Sequence, residues 1–148
     1  MQIHSKLPNV GLTIFTIMSK MAQEYNAINL SQGFPDFPVA EELIEGIHHY
    51  MKKGMNQYAP MPGMPQLREQ IGNKLKGTYD WNVDVDAEIT VTSGAIEAIN
   101  ATITALVRAG DEVIIIDPAY DAYAPIIEMN GAITVAVPLK QPDFKIDW

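Results

Sequence analysis

The residues best suited to chemistry lie in two short loops, each after an apolar run. The first is Thr92-Ser-Gly-Ala-Ile96, where a strand-like pattern changes to a helix-like one. The first N–H groups of a helix lack intrahelical acceptors, and the helix dipole adds partial positive charge there. A phosphate is therefore a natural ligand, and Gly94 would let it approach the backbone closely. The same segment also reads as an ordinary helix start with Ser93 as its cap. It matches neither the glycine fingerprint of a dinucleotide site nor a Walker sequence. The second loop, Asp117-Pro-Ala-Tyr-Asp-Ala-Tyr123, carries two aromatic rings. A flat ring there can stack on a planar ligand, although packing into a core is the plainer use of tyrosine.

Two more loops are weaker signals. Gly33 lies in the proline-stiffened segment 31–38, where its N–H can donate to a carboxylate without side-chain obstruction; alone this is only a turn. Asn56-Gln-Tyr-Ala-Pro60 offers the hydroxyl of Tyr58 and is uninformative by itself. His4, His48 and His49 form no metal set, since adjacent helical residues point in different directions. No Ser-His-Asp arrangement or paired-carboxylate spacing stands out. The absence of cysteine removes disulfides, thiolate metal sites and a cysteine nucleophile together.

The elements that must carry these loops follow from periodicity. Ile14, Ile17, Met18, Met21 and Tyr25 predict a helix over 12–25, and residues 27–30 suit a short strand. A helix over 39–53 has Glu41 and Glu42 in its first turn, Lys52 and Lys53 in its last, and Gly54 as its stop. Leu67, Ile71, Leu75 and Tyr79 predict another helix, and residues 80–86 form a polar connection. Then come a strand over 88–92, a helix over 94–108 and a continuous apolar strand over 112–116 of the kind covered on both faces. A helix over 121–129, an Asn130-Gly131 turn and a strand over 132–137 complete the pattern. This β-α-β-α-β order implies an α/β fold with a parallel sheet, and both candidate loops follow strands, where such sheets bind ligands.

The composition narrows the function. The 148 residues are 47% apolar and 19% charged, which suits a folded domain. The net charge of -8 disfavours nucleic acid as a partner. No apolar run reaches the roughly 18–20 residues of a membrane span. Residues 1–10 have no apolar core of a signal peptide, and with the lack of cysteine this leads to an expected cytoplasmic location.

Four segments in register resemble the class I/II, fold-type I aminotransferases. They are Asn29-Leu-Ser-Gln-Gly-Phe-Pro-Asp-Phe-Pro38, Asn56-Gln-Tyr-Ala-Pro60, Thr90-Val-Thr-Ser-Gly-Ala95 and Gly110-Asp-Glu-Val-Ile-Ile-Ile-Asp-Pro118. The resemblance covers nearly the whole chain. Ser5-Lys-Leu-Pro8, Thr13-Ile-Phe15, the 117–125 segment and Phe144-Lys-Ile-Asp-Trp148 point to the methionine and kynurenine–oxoglutarate branch of the family. The resemblance implies an incomplete pyridoxal 5'-phosphate (PLP) transferase large domain, a parallel-rich sheet with flanking helices, preceded by an N-terminal arm. Residues 1–45 would be arm and small-domain part, and 46–148 the first part of the large domain.

It also implies roles. The backbone N–H groups of Gly94, Ala95 and Ile96 would hold the PLP phosphate, although the family often has threonine where Ile96 stands. Tyr120 would stack on the pyridine ring. Tyr58 would reach the cofactor phosphate of the other subunit of a homodimer. Gly33 would donate to the substrate α-carboxylate, with Phe15 and Tyr123 near the substrate side chain. The reaction implied is amino-group transfer from an amino acid, such as methionine or an aromatic one, to a 2-oxo acid. The family's Schiff-base lysine, and the aspartate and arginine that work with it, match positions beyond Trp148; Lys140 and Lys145 do not fit the lysine's motif. Residues 1–148 alone are thus expected to be inactive and poorly stable. The alternatives are a non-catalytic phosphate- or PLP-binding module or relic and, less well matched, a nucleotide-binding domain.

Overall fold

The computed structural model describes residues 3–33 and 35–148. Among them run α1 (Ile14–Glu24), α2 (Glu41–Lys52), α3 (Pro65–Tyr79), α4 (Ala95–Leu106), β1 (Glu112–Asp117), α5 (Tyr123–Met129) and β2 (Ile133–Pro138). The chain divides into two compact units, one of residues 1–32 with 93–148, the other of residues 33–92.

The first unit is built on β1 and β2, which pair in parallel from Glu112↔Ile133 to Asp117↔Pro138. A parallel pair needs a crossover, and α5 supplies it. Ile126, Ile127 and Ala132 are buried where α5 meets the strands, Ile127 most completely. The expected Asn130-Gly131 turn forms: Gly131 has a φ of 76° and its carbonyl accepts from the Gly110 N–H at 2.9 Å. A side chain at Gly131 would also stand 3.1 Å from the Ala109 Cβ. Helix α1 starts at Ile14, two residues after the predicted Leu12, because the Thr13 hydroxyl caps it by accepting from the Thr16 N–H at 3.2 Å.

Three expectations for this unit need correction. Residues 27–30 form no strand. The Ala27 N–H turns back to the Ala22 carbonyl at 2.8 Å, and the Asn29 side chain donates to the Ser19 hydroxyl at 3.1 Å, so the segment is tied to α1 instead. The apolar run of β1 is not covered on both faces: Ile114 and Ile116 are exposed. Helix α5 is the one described helix that packs against the two strands, and beside Ile114 and Ile116 lie the non-helical residues Ile146, Asp147 and Trp148 around an open pocket. Helix α4 begins at Gly94, with no side-chain cap, so Ser93 does not serve as predicted.

In the second unit α3 carries the buried residues Arg68 and Gly72. Pro65 occupies the first turn, where its missing N–H is no loss. Gly72 is buried because a Cβ there would stand 3.0 Å from the Val85 side chain. Arg68 is buried beside it, donating to the Val85 carbonyl at 2.8 Å and pairing with the Asp86 carboxylate at 3.2 Å. Asp80 closes the helix in a left-handed conformation, φ 53°, with its carboxylate paired to Lys76. Helix α2 has the expected acidic start and basic end.

The predicted strand over 88–92 is absent. Ile89 within it is nonetheless buried. A strand requires a ladder, however, and the Val91 N–H goes to the carbonyl of Pro62 in a loop, at 2.9 Å. The two-stranded sheet therefore carries the α/β architecture of this chain among the described residues.

Candidate functional site

The turn into α4 is the best-formed feature for an anion. Gly94 has a φ of 88°, a conformation disfavoured for any residue with a Cβ. The space a Cβ would fill there is open, with no atom within 4 Å. The N–H groups of Ala95 and Ile96 begin the helix and have no acceptor within it. The Ser93 N–H donates to the carboxylate of Glu97, which folds back from the first helical turn. That bond takes the place of the expected Ser93 side-chain cap. Its signal was in the sequence, since an acidic residue at the third helical position often reaches back to the helix start. An open approach, a glycine with no side-chain cap and outward N–H groups fit a phosphate; the fit is to an anion in general, not to one cofactor.

Three aromatic rings gather at the carboxyl end of β1. Tyr120 and Tyr123 meet edge to face with centroids 5.8 Å apart. Phe15, from the first turn of α1, lies 6.2 Å from Tyr120 with its ring tilted by 34°. The Tyr123 N–H also donates to the Tyr120 carbonyl at 3.1 Å, which makes the turn into α5. The Asp117–Pro118 peptide before them is cis. Tyr120 remains partly exposed, so a face of this cluster is open to a planar ligand.

Of the eight residues singled out in the sequence, the first unit thus contains Phe15, Gly94, Ala95, Ile96, Tyr120 and Tyr123. Phe15, Tyr120 and Tyr123 are in ring contact. Gly33 and Tyr58 belong to the second unit, where the Tyr58 ring is fully exposed and Gly33 has open space around it. Asn29, part of a motif in the sequence, also has a structural task. Its amide donates to Ser19 and its carbonyl oxygen accepts from the Ser31 N–H at 3.0 Å, fastening the 29–31 turn to α1. No cluster of possible metal ligands occurs among the described residues, and no described helix is long and apolar enough to cross a membrane.

An open helix start and three aromatic rings in contact thus lie in one α/β unit with a parallel strand pair. Residues 25–148 match the family model Aminotransferase class I and II, and the chain belongs to that family of PLP-dependent enzymes, which act on amino acids and 2-oxo acids. Methionine aminotransferase of Escherichia coli (strain K12) is 54% identical over 144 residues, 97% of this chain and 37% of that protein. Kynurenine--oxoglutarate transaminase 3 of Homo sapiens is 36% identical over 150 residues, 97% of this chain and 32% of that protein. The crystal structure of YbdL from Escherichia coli, identified with a methionine aminotransferase function, superimposes with a TM-score of 0.94 at 53% identity. It covers 100% of this chain and 39% of that one. N-Succinyldiaminopimelate aminotransferase from Mycobacterium tuberculosis gives a TM-score of 0.87 at 38% identity, covering 95% and 37%. The chain therefore spans about a third of the length of these relatives.

Proposed function

We propose that this chain supplies the phosphate cup and part of the substrate side of an aminotransferase that works on methionine or a similar apolar or aromatic amino acid. The observation that carries the reading is the open helix start at Gly94–Ile96, in a family that uses a phosphorylated cofactor. When bound, PLP supplies an electron sink for moving a proton and an amino group between an amino acid and a 2-oxo acid. The backbone N–H groups of Gly94, Ala95 and Ile96 hold the phosphate and align it with the α4 dipole. Ile96 offers no hydroxyl, so the backbone carries that contact. Tyr120 would offer its ring face to the cofactor's planar ring. Phe15 and Tyr123 give the amino-acid side chain an apolar wall, which favours a thioether or an aromatic ring over a charged group.

Gly33 keeps the role of donating to the substrate carboxylate. Tyr58 keeps that of reaching the cofactor phosphate of a second copy, so the working unit is a homodimer. A division near residue 45 between arm and large domain belongs to the same reading. The lysine that holds the cofactor covalently is not among residues 1–148 in this reading, so these residues bind without turning over. Incubation with PLP, methionine and a 2-oxo acid tests this. The expected result is cofactor binding with no 2-oxo product of methionine. Steady turnover by residues 1–148 would overturn the assignment of the chemistry to residues outside them.

A further inference from the structure

Tyr120 sits on a loop, is nearly half exposed, and its hydroxyl makes no hydrogen bond among the described residues. Little of its own loop fixes the plane of its ring. Two other rings do. Tyr123 meets it edge to face at 5.8 Å, and Phe15 lies 6.2 Å away, both within the range of attractive aromatic pairs. Tyr123 is held by the first turn of α5 and by its N–H bond to the Tyr120 carbonyl.

Phe15 is held from further away. It lies in the first turn of α1, whose start is fixed by the Thr13 cap. Ser19 follows one turn later on the same helix face, and its hydroxyl takes the Asn29 amide at 3.1 Å. No other described helix or strand packs against α1. The Phe15–Tyr120 ring contact thus links α1 to the loop at the end of β1.

We infer that Phe15 is a positioning residue for the Tyr120 ring, so that the set of α1 determines how Tyr120 meets a planar cofactor. This rests on the stacking role proposed for Tyr120 and gives Phe15 a task besides lining a substrate pocket. A wall of that pocket would change substrate preference and leave cofactor affinity alone. A positioning residue changes cofactor affinity with no substrate present.

The test uses the whole chain with ring-labelled tyrosine, the Tyr120 signals being assigned through Tyr120→Phe. Phe15→Leu removes the ring and Phe15→Tyr keeps it. With Phe15→Leu the Tyr120 ring signals shift while those of Tyr79 stay, and PLP affinity falls about two- to tenfold, the range of an aromatic pair. Phe15→Tyr restores the affinity of the parent chain. Thr13→Ala, which touches no ring, moves the Tyr120 signals in the same direction by loosening α1. Unchanged Tyr120 signals in both Phe15→Leu and Thr13→Ala would overturn the inference, as would unchanged PLP affinity in Phe15→Leu. A parent chain that takes no PLP, with Tyr120 still responding to Phe15→Leu, overturns the cofactor reading and leaves the ring positioning standing.

Discussion

Gly63 is the position where one methyl group should do most damage. Its φ is 102°, a region L-residues rarely occupy. A Cβ built there meets the Val91 Cγ2 at 2.6 Å and the Val91 Cβ at 2.7 Å. The loop cannot retreat freely, because the Gly63 N–H donates to the Pro60 carbonyl at 2.8 Å and the Pro62 carbonyl accepts from the Val91 N–H at 2.9 Å. The backbone conformation costs a side-chain-bearing residue about 1–2 kcal/mol. Overpacking against Val91 adds roughly 1–3 kcal/mol. Gly63→Ala should therefore destabilise the second unit by about 2–5 kcal/mol, a large share of the roughly 5–15 kcal/mol that holds an ordinary domain together. Val91→Ala in the same background removes the Cγ2 clash and leaves the Cβ clash, so the recovery should be partial. Gly77 in α3 is the control. Nothing lies within 4 Å of its would-be Cβ, so Gly77→Ala should stabilise by about 0.5–1 kcal/mol through helix propensity. Urea unfolding followed by circular dichroism measures all three. A neutral Gly63→Ala, or a Gly77→Ala as harmful as Gly63→Ala, would refute the packing argument.

Other substitutions test other parts of the fold. Ile127 is 1% exposed, so Ile127→Ala should cost about 2–5 kcal/mol in the same unfolding assay. Arg68→Ala should cost about 2–3 kcal/mol, chiefly through the bond to the Val85 carbonyl. Asp86→Ala should stay within about 1 kcal/mol, because that carboxylate is exposed and solvent-screened. Ile114→Lys places a charge on the open side of β1 and should reduce light scattering by the isolated chain; undiminished scattering would mean that self-association runs through another surface.

Local signals made much of this structure legible in the sequence. The apolar repeat of α1, the Glu41–Glu42 start of α2 and the four-residue repeat from Leu67 in α3 are all local, and each element begins within two residues of its predicted place. The Asn130-Gly131 turn is equally local. What failed depended on partners. Residues 88–92 alternate like a strand, but alternation reports which side chains are buried and cannot supply a neighbour for the ladder. The run Val113–Ile116 is apolar enough for two covered faces, yet composition does not say what covers them. At the start of α4 a local contest was misjudged, and Glu97 took the N–H-bonding role expected near Ser93. The helix start at Gly94 was legible because its glycine and the change of hydrophobic period are local signals. The meeting of Phe15 with Tyr120 was not, since nothing in either segment announces the other.

The central claim is that the Gly94–Ile96 helix start holds a cofactor phosphate. The most direct measurement is a calorimetric titration of the chain with PLP and, in parallel, with pyridoxal, which has the same ring and no phosphate. Even two of the three charge-assisted bonds, at about 1.5 kcal/mol each, put the expected preference for PLP at roughly a hundredfold or more. Gly94→Ala, which strains the φ of 88° and fills the approach, should erase most of that preference. Equal affinity for the two compounds, or a preference that survives Gly94→Ala undiminished, would contradict the account.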